Sequence, residues 1–172
     1  MAGRYGNGLS FDGVNDLVTV PGSSSLNLRT AMTMEAWVRP TRLSSMWRTA
    51  VIKERSNHLA YALYAANGSG VPSGHVYVSS DSNVTGPSAV PLASWTHIAS
   101  TWNGSVLRLY VNGNQVSSRQ LTGTAMSSSS PLRIGGTTVW AEWFEGVIDD
   151  VRVYNRALTA AQIRADRVTR IG

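Results

Sequence analysis

Trp95-Thr-His-Ile-Ala-Ser-Thr-Trp102-Asn-Gly-Ser-Val106-Leu-Arg-Leu-Tyr-Val111-Asn-Gly-Asn-Gln-Val116 is the stretch that decides the fold class. The runs 95–102 and 106–111 are rich in aromatic and β-branched residues and flank Asn103-Gly104. That dipeptide favours positive φ at both turn positions, so the pair reads as a hairpin. Asn112-Gly113 repeats the signal and leads into a further strand at Gln115-Val116-Ser117.

The same period-two alternation extends outward in both directions. Upstream it covers Leu9–Phe11, Asp16–Val20 (closed by Pro21-Gly22), Met32–Arg39 (stopped by Pro40), Thr49–Glu54, Tyr61–Tyr64 and His75–Ser79. Downstream it covers Leu132–Ile134 and Gly146–Tyr154. Loops rich in Gly, Ser, Pro and Asn are expected over 67–74, 81–91 and 122–131. Roughly ten strands of this kind, with no fixed repeat, predict an all-β fold: a two-sheet antiparallel β-sandwich of the jelly-roll type. One short C-terminal helix is expected. Thr159-Ala-Ala-Gln162 has the form of a capping box, and Leu158 and Ile163 stand at staple positions.

A chain of 172 residues suits one domain, read as a tail over residues 1–7 and the sandwich over 8–172. There is no cysteine, which excludes disulfides, thiolate metal sites and a cysteine nucleophile. No signal peptide is expected in MAGRYGNGLS, and no apolar run approaches the ~18 residues of a membrane span. The net charge is +5, with Lys53 the one lysine among 15 basic residues. The arginines are scattered singly except for Arg164, Arg167 and Arg170, so no nucleic-acid face is expected. Their excess favours an acidic ligand such as a uronate or a sulfated glycan.

Asp149 is the most informative carboxylate. By parity it shares a side with Val147, Val151 and Val153. If that side is the core face, an ionised carboxylate there is costly unless it is paired or bound to a metal. Three readings stay open: Ca²⁺ ligation, pairing with an arginine, or a strand exposed on both faces near its start.

Several blocks resemble laminin-G-like jelly-roll domains of the concanavalin A-like lectin/glucanase superfamily. They are Gly8-Leu-Ser-Phe-Asp-Gly-Val-Asn-Asp16, Met34-Glu-Ala-Trp-Val-Arg-Pro40, Trp95-Thr-His-Ile-Ala99, Leu107-Arg-Leu-Tyr-Val-Asn-Gly113, Leu132-Arg-Ile-Gly-Gly136 and Gly146-Val-Ile-Asp-Asp-Val-Arg-Val-Tyr-Asn-Arg-Ala-Leu158. They occur in the family's order over nearly the whole chain. The resemblance implies that first and last strands adjoin and that Asp12 and Asp149 hold one structural Ca²⁺, with Asp16 as a third candidate. Calcium takes roughly six to eight oxygens, so carbonyls and water would complete the shell.

Trp37, Trp95 and Trp102 are expected to pack in the core or on a sheet face. Trp140 and Trp143 lie in Thr137-Thr-Val-Trp-Ala-Glu-Trp-Phe144, a connection that is usually Gly/Ser-rich in the family. Two indoles there form a platform for sugar rings, or fold back over the core. Trp47, in Ser44-Ser-Met-Trp-Arg48, is a lesser ligand-binding candidate.

The E-x-D-x-x-E pattern of the sandwich glucanases is missing. Glu142 and Glu145 point to opposite faces of an extended chain, Asp149 and Asp150 likewise, and Glu35 and Glu54 stand on separate segments. His58, His75 and His97 lack metal spacing, and no serine sits in G-x-S-x-G. The expectation is a non-catalytic carbohydrate-binding module, extracellular or at the cell surface as part of a larger exported protein, without membrane insertion. The alternatives are a protein-interaction or adhesion domain, and a glycoside hydrolase or lyase with an unrecognised site.

Overall fold

Twelve strands alternate with short connections along the computed structural model, which describes residues 1–44 and 46–171. Ser45, inside the expected Trp47 loop, and Gly172, the expected domain end, lie outside the described residues. The strands are β1 (Leu9–Asp12), β2 (Val18–Val20), β3 (Met32–Pro40), β4 (Arg48–Arg55), β5 (His58–Ala66) and β6 (Ser73–Tyr77). They continue as β7 (Asp81–Thr85), β8 (Thr96–Trp102), β9 (Val106–Val111), β10 (Asn114–Gln120), β11 (Leu132–Ile134) and β12 (Glu145–Tyr154), followed by helix α1 (Ala160–Asp166). Two six-stranded sheets result. The first runs β1-β12-β3-β8-β9-β10 and the second β2-β11-β4-β5-β6-β7. Every pairing is antiparallel, giving the expected jelly-roll sandwich with its first and last strands side by side.

Alternation sorts the side chains. Met32, Met34, Ala36 and Val38 of β3, Ile98 and Trp102 of β8, and Leu107 and Leu109 of β9 face Val51, Tyr61, Leu63 and Val76 of the second sheet. The two large residues with polar handles are satisfied: Trp102 Nε1 donates to the Leu121 carbonyl at 2.8 Å and the Tyr61 hydroxyl to the Leu26 carbonyl at 2.9 Å.

Three local features depart from the sequence reading. Asp81–Thr85, expected as loop, is a strand, because β6 offers it a free edge and Val84 faces inward. The β8–β9 connection is a hairpin, but Asn103 does not take a positive φ; its Oδ1 instead accepts the backbone N–H of Ser105 and Val106. The turn with positive φ at both positions is Asn112-Gly113, at 51° and 80°.

The third departure decides where Asp149 points. Between Asp149, opposite Trp37, and Arg152, opposite Glu35, β12 carries one extra residue. An extra residue flips the side-chain alternation beyond it. Asp150 takes up the bulge at φ 45°. Val151 and Val153 therefore pack on the core, whereas Asp149 shares the outer face with Trp37. The apolar row that parity placed around Asp149 is broken.

The capping box forms as read. Thr159 accepts the Gln162 N–H and the Gln162 side chain accepts the Thr159 N–H, at 3.2 and 2.9 Å. Leu158 and Ile163 pack on Ala99 and Tyr110, which seats α1 on the outer face of the first sheet. Residues 1–7 form a small turn, with Ala2 bridged to Asn7, that lies over the same face. No helix among the described residues is long and apolar enough to cross a membrane.

Candidate functional site

The outer face of the second sheet carries a cavity of about 290 Å³. Its floor is apolar and aromatic: Leu59 and Tyr64 from β5, with His75 from β6. Trp47, just before β4, stands over this floor with its ring 4.8 Å from Tyr64 and 5.5 Å from His75. Tyr64 and His75 are 5.1 Å apart, so three inclined rings brace one another.

The connection 137–144 supplies the remaining wall. Buried Glu54 pins its start, accepting the Thr137 hydroxyl at 2.8 Å and the Thr138 N–H at 3.1 Å. Its end is held by Arg48 Nη1 on the Trp143 carbonyl at 2.7 Å and by Phe144, fully buried in the core. Between these anchors the chain turns at Ala141, φ 54°, and directs Trp140 and Glu142 to the cavity. Trp140 is 41% exposed.

Two carboxylates line the cavity. Asp81, at the start of β7, meets His75 Nδ1 at 3.1 Å. Glu142 Oε2 is buried with no hydrogen-bond partner among the described residues. Burial pushes the Glu142 carboxyl up to about 7; the Tyr64 and Thr49 hydroxyls pull it back down and the charge of Asp81 adds to the rise. Among the described residues no lysine or arginine lines the cavity, so the acidic ligand expected from net charge meets no guanidinium or ammonium in its lining.

Of the three tryptophans singled out by sequence, Trp47 and Trp140 are brought together in this cavity and Trp143 is not. Trp143 turns back onto Gly136, where an added Cβ would fall 2.4 Å from the indole. Tyr64 and Asp81 were not singled out, and His75 and Glu142 were weighed for metal or catalytic roles and set aside. A signal for Tyr64 existed: β5 is apolar at nearly every position, which marks a strand covered on both faces.

Asp12 and Asp149 are not brought together. Asp12 pairs with Glu145, four positions along β12 from Asp149, or ~13 Å at ordinary strand rise. Asp12 Oδ1 accepts the N–H groups of Val14 and Asn15, and the first of these bonds holds its carboxyl below the usual range. Asp16 Oδ2 accepts the Asp12 N–H. Asp149, 8% exposed, accepts the N–H of Tyr5 through one oxygen and that of Asp150 through the other, each at 2.9 Å. The two carboxylates therefore do not converge, and no group of three His, Asp or Glu side chains among the described residues is placed to hold an ion. This donor set does not fit one shared Ca²⁺.

No curated protein matches this chain. Among solved structures it is similar to domain 4 of AbnA, a GH43 extracellular arabinanase from Geobacillus stearothermophilus, in complex with arabinotriose. That match has a TM-score of 0.81 at 22% identity, over 97% of this chain and 79% of that one. It is also similar to the CBM40 of Ruminococcus gnavus IT-sialidase bound to α2,3 sialyllactose (TM-score 0.67, 14% identity, 88% and 96% covered). Mouse laminin α1 chain domains LG4-5 match with a TM-score of 0.66 at 15% identity, over 88% of this chain and 44% of that one. At these identities the likeness is one of fold. A family described as the concanavalin A-like lectin/glucanases superfamily matches residues 12–164, and the chain belongs to it.

Proposed function

We propose that this chain is a non-catalytic carbohydrate-binding module of an exported protein, and that the cavity on the outer face of the second sheet holds the glycan. The observation that carries the reading is the open cavity in which Trp47, Tyr64 and Trp140 surround a buried, unpaired carboxylate oxygen of Glu142. An aromatic face takes the apolar C–H side of a sugar ring, and a buried acceptor takes a hydroxyl. Ligand cavities run from roughly 300 to 1,000 Å³, and this one lies at the small end, suited to a chain end or a single ring. The arabinanase domain in complex with arabinotriose and the sialyllactose-bound CBM40 support a glycan ligand for this fold.

Calcium has no part in this reading, since Asp12 and Asp149 face different partners. Against catalysis stands the commitment of Asp81 to His75, which leaves Glu142 without a second free carboxylate in the cavity. The test is a glycan array followed by calorimetry with wild type and Trp140→Ala. Specific binding that Trp140→Ala weakens by about tenfold or more supports the reading. A blank array at high protein concentration overturns it, and reducing ends released from a bound polysaccharide would overturn the non-catalytic part.

A further inference from the structure

Resting on that reading, we propose that the cavity selects a glycan unit carrying a protonated amine, an amino sugar whose nitrogen is unacetylated rather than its N-acetylated or acidic counterpart. The argument begins with charge. The lining holds Glu142 and Asp81 and neither lysine nor arginine, and its one histidine, His75, is engaged by Asp81. The nearby arginines are committed elsewhere. Arg55 stacks on Tyr77 at 4.3 Å, Arg48 turns to the Trp143 carbonyl and Ser44, and Arg133 pairs with Glu54 at 3.1 Å. Among the described residues no guanidinium lines the cavity beside Glu142.

Glu142 Oε2 is buried, and the groups beside the carboxyl, the Tyr64 and Thr49 hydroxyls, are neutral. A carboxylate so placed is poorly solvated, and a cation arriving with its own N–H donors supplies the missing charge and a further hydrogen bond. The rings act in the same direction. Trp47, Tyr64 and Trp140 line the cavity, and an ammonium group within about 6 Å of an aromatic face is attracted to it. A hydroxyl satisfies the hydrogen bond but not the charge. A uronate or sulfate meets two carboxylates with no guanidinium to offset them, a juxtaposition that rejects the wrong partner.

The experiment is calorimetry on the full chain with four trisaccharides: β-1,4-linked glucosamine, its N-acetylated counterpart, cellotriose and trigalacturonate. The glucosamine trisaccharide is expected to bind at least about tenfold more tightly than the other three. Glu142→Gln is expected to erase that advantage, bringing the glucosamine trisaccharide to the affinity of its N-acetylated counterpart, and Trp140→Ala to weaken every trisaccharide that binds. Equal affinity for the glucosamine and N-acetylated trisaccharides overturns the amine preference and leaves the glycan reading standing. Tightest binding of trigalacturonate does the same. No binding by any of the four, together with a blank array, overturns both. If Glu142→Gln fails to fold, the comparison of free and acetylated trisaccharides on wild type still decides the matter.

Discussion

The two outer faces of the sandwich carry the same three residue types in the same company. On the first sheet Trp37 and His97 lie 5.4 Å apart, and Glu35 approaches His97 at 3.8 Å. On the second, Trp47 and His75 lie 5.5 Å apart and share their cavity with Glu142. What differs is the cover. Over the first face the chain lays its own residues: Tyr5 packs edge-on to Trp37, Arg4 sits 4.8 Å over the indole, and the Tyr5 hydroxyl donates to the Arg167 carbonyl after α1. Arg152 Nη1 then reaches the Asp166 carbonyl at 3.0 Å and Glu35 Oε1 at 3.7 Å. Over the second face the cover comes from Trp47 and the 137–144 connection, which leave a cavity open between them. Buried polar atoms without a hydrogen-bond partner occur on both faces, Glu35 and His97 on the first and Glu142 on the second, so what separates the faces is cover and not residue type.

The strongest way to break the comparison is to remove one tryptophan from each face. Trp37, 3% exposed, should cost about 3–5 kcal/mol on replacement by Ala, read from urea denaturation. Trp140→Ala should cost about 1 kcal/mol or less and act on glycan affinity instead. Equal destabilisation by the two would mean that both faces are structural.

Deleting residues 1–7 should uncover Trp37 and release Asp149 from Tyr5, lowering stability by about 2–3 kcal/mol and shifting tryptophan emission to the red. Unchanged stability would show that the turn is a loose appendage. Asp149→Asn should cost about 1–2 kcal/mol, because both of its oxygens accept backbone N–H groups. Melting in excess Ca²⁺ and in EDTA should coincide. A calcium-dependent gain approaching the ~2.7 kcal/mol of a site at 100-fold its Kd, lost in Asp149→Asn, would reinstate a metal at this face.

The smallest effect expected is on pH dependence. Burial pushes Glu35 from its ordinary 4.5 up to about 8, with the Asp166 charge adding to it and Arg152 opposing. Between those values the folded chain holds a proton that the unfolded chain has lost, so stability falls as pH rises. Burial lowers His97 from 6.5 to about 4, so between those values stability rises with pH. The slopes oppose one another up to about 6.5, and from there to about 8 the decline from Glu35 stands without that compensation. Glu142, raised to about 7, adds to the decline over its own window. Glu35→Gln should flatten the curve above pH 6.5. Glycan should alter only the part belonging to Glu142, and a ligand-induced change that persists in Glu142→Gln would contradict the division between the faces.

Much of the fold was legible because each signal is local. Val106–Val111 alternates, Asn112-Gly113 accepts the φ values of a tight turn, and Thr159 with Gln162 satisfies helix-end N–H groups within one turn. β7 escaped notice because Asp81-Ser-Asn-Val-Thr85 has little strand propensity of its own and is held by the edge of β6. The site was legible only in fragments. Trp47 and Trp140 drew attention as indoles in loops, but Tyr64, His75 and Asp81 sit on three different strands that the sheet alone brings side by side.

By itself, then, the sequence determined the strands, the tight turns, the capped helix and, through them, the two-layer sandwich, since alternation and turn chemistry depend on near neighbours along the chain. Only the tertiary structure decided which way the carboxylates face. One bulged residue at Asp150 put Asp149 on the opposite face from Val151 and Val153, where it meets the backbone N–H of Tyr5, and the β1–β12 register set it four positions from Glu145, the partner of Asp12. The folding of the 137–144 connection sent Glu142 and Trp140 into a cavity and Trp143 onto Gly136. A side chain's partners are set by register and by cover, and both are properties of segments that are far apart in sequence.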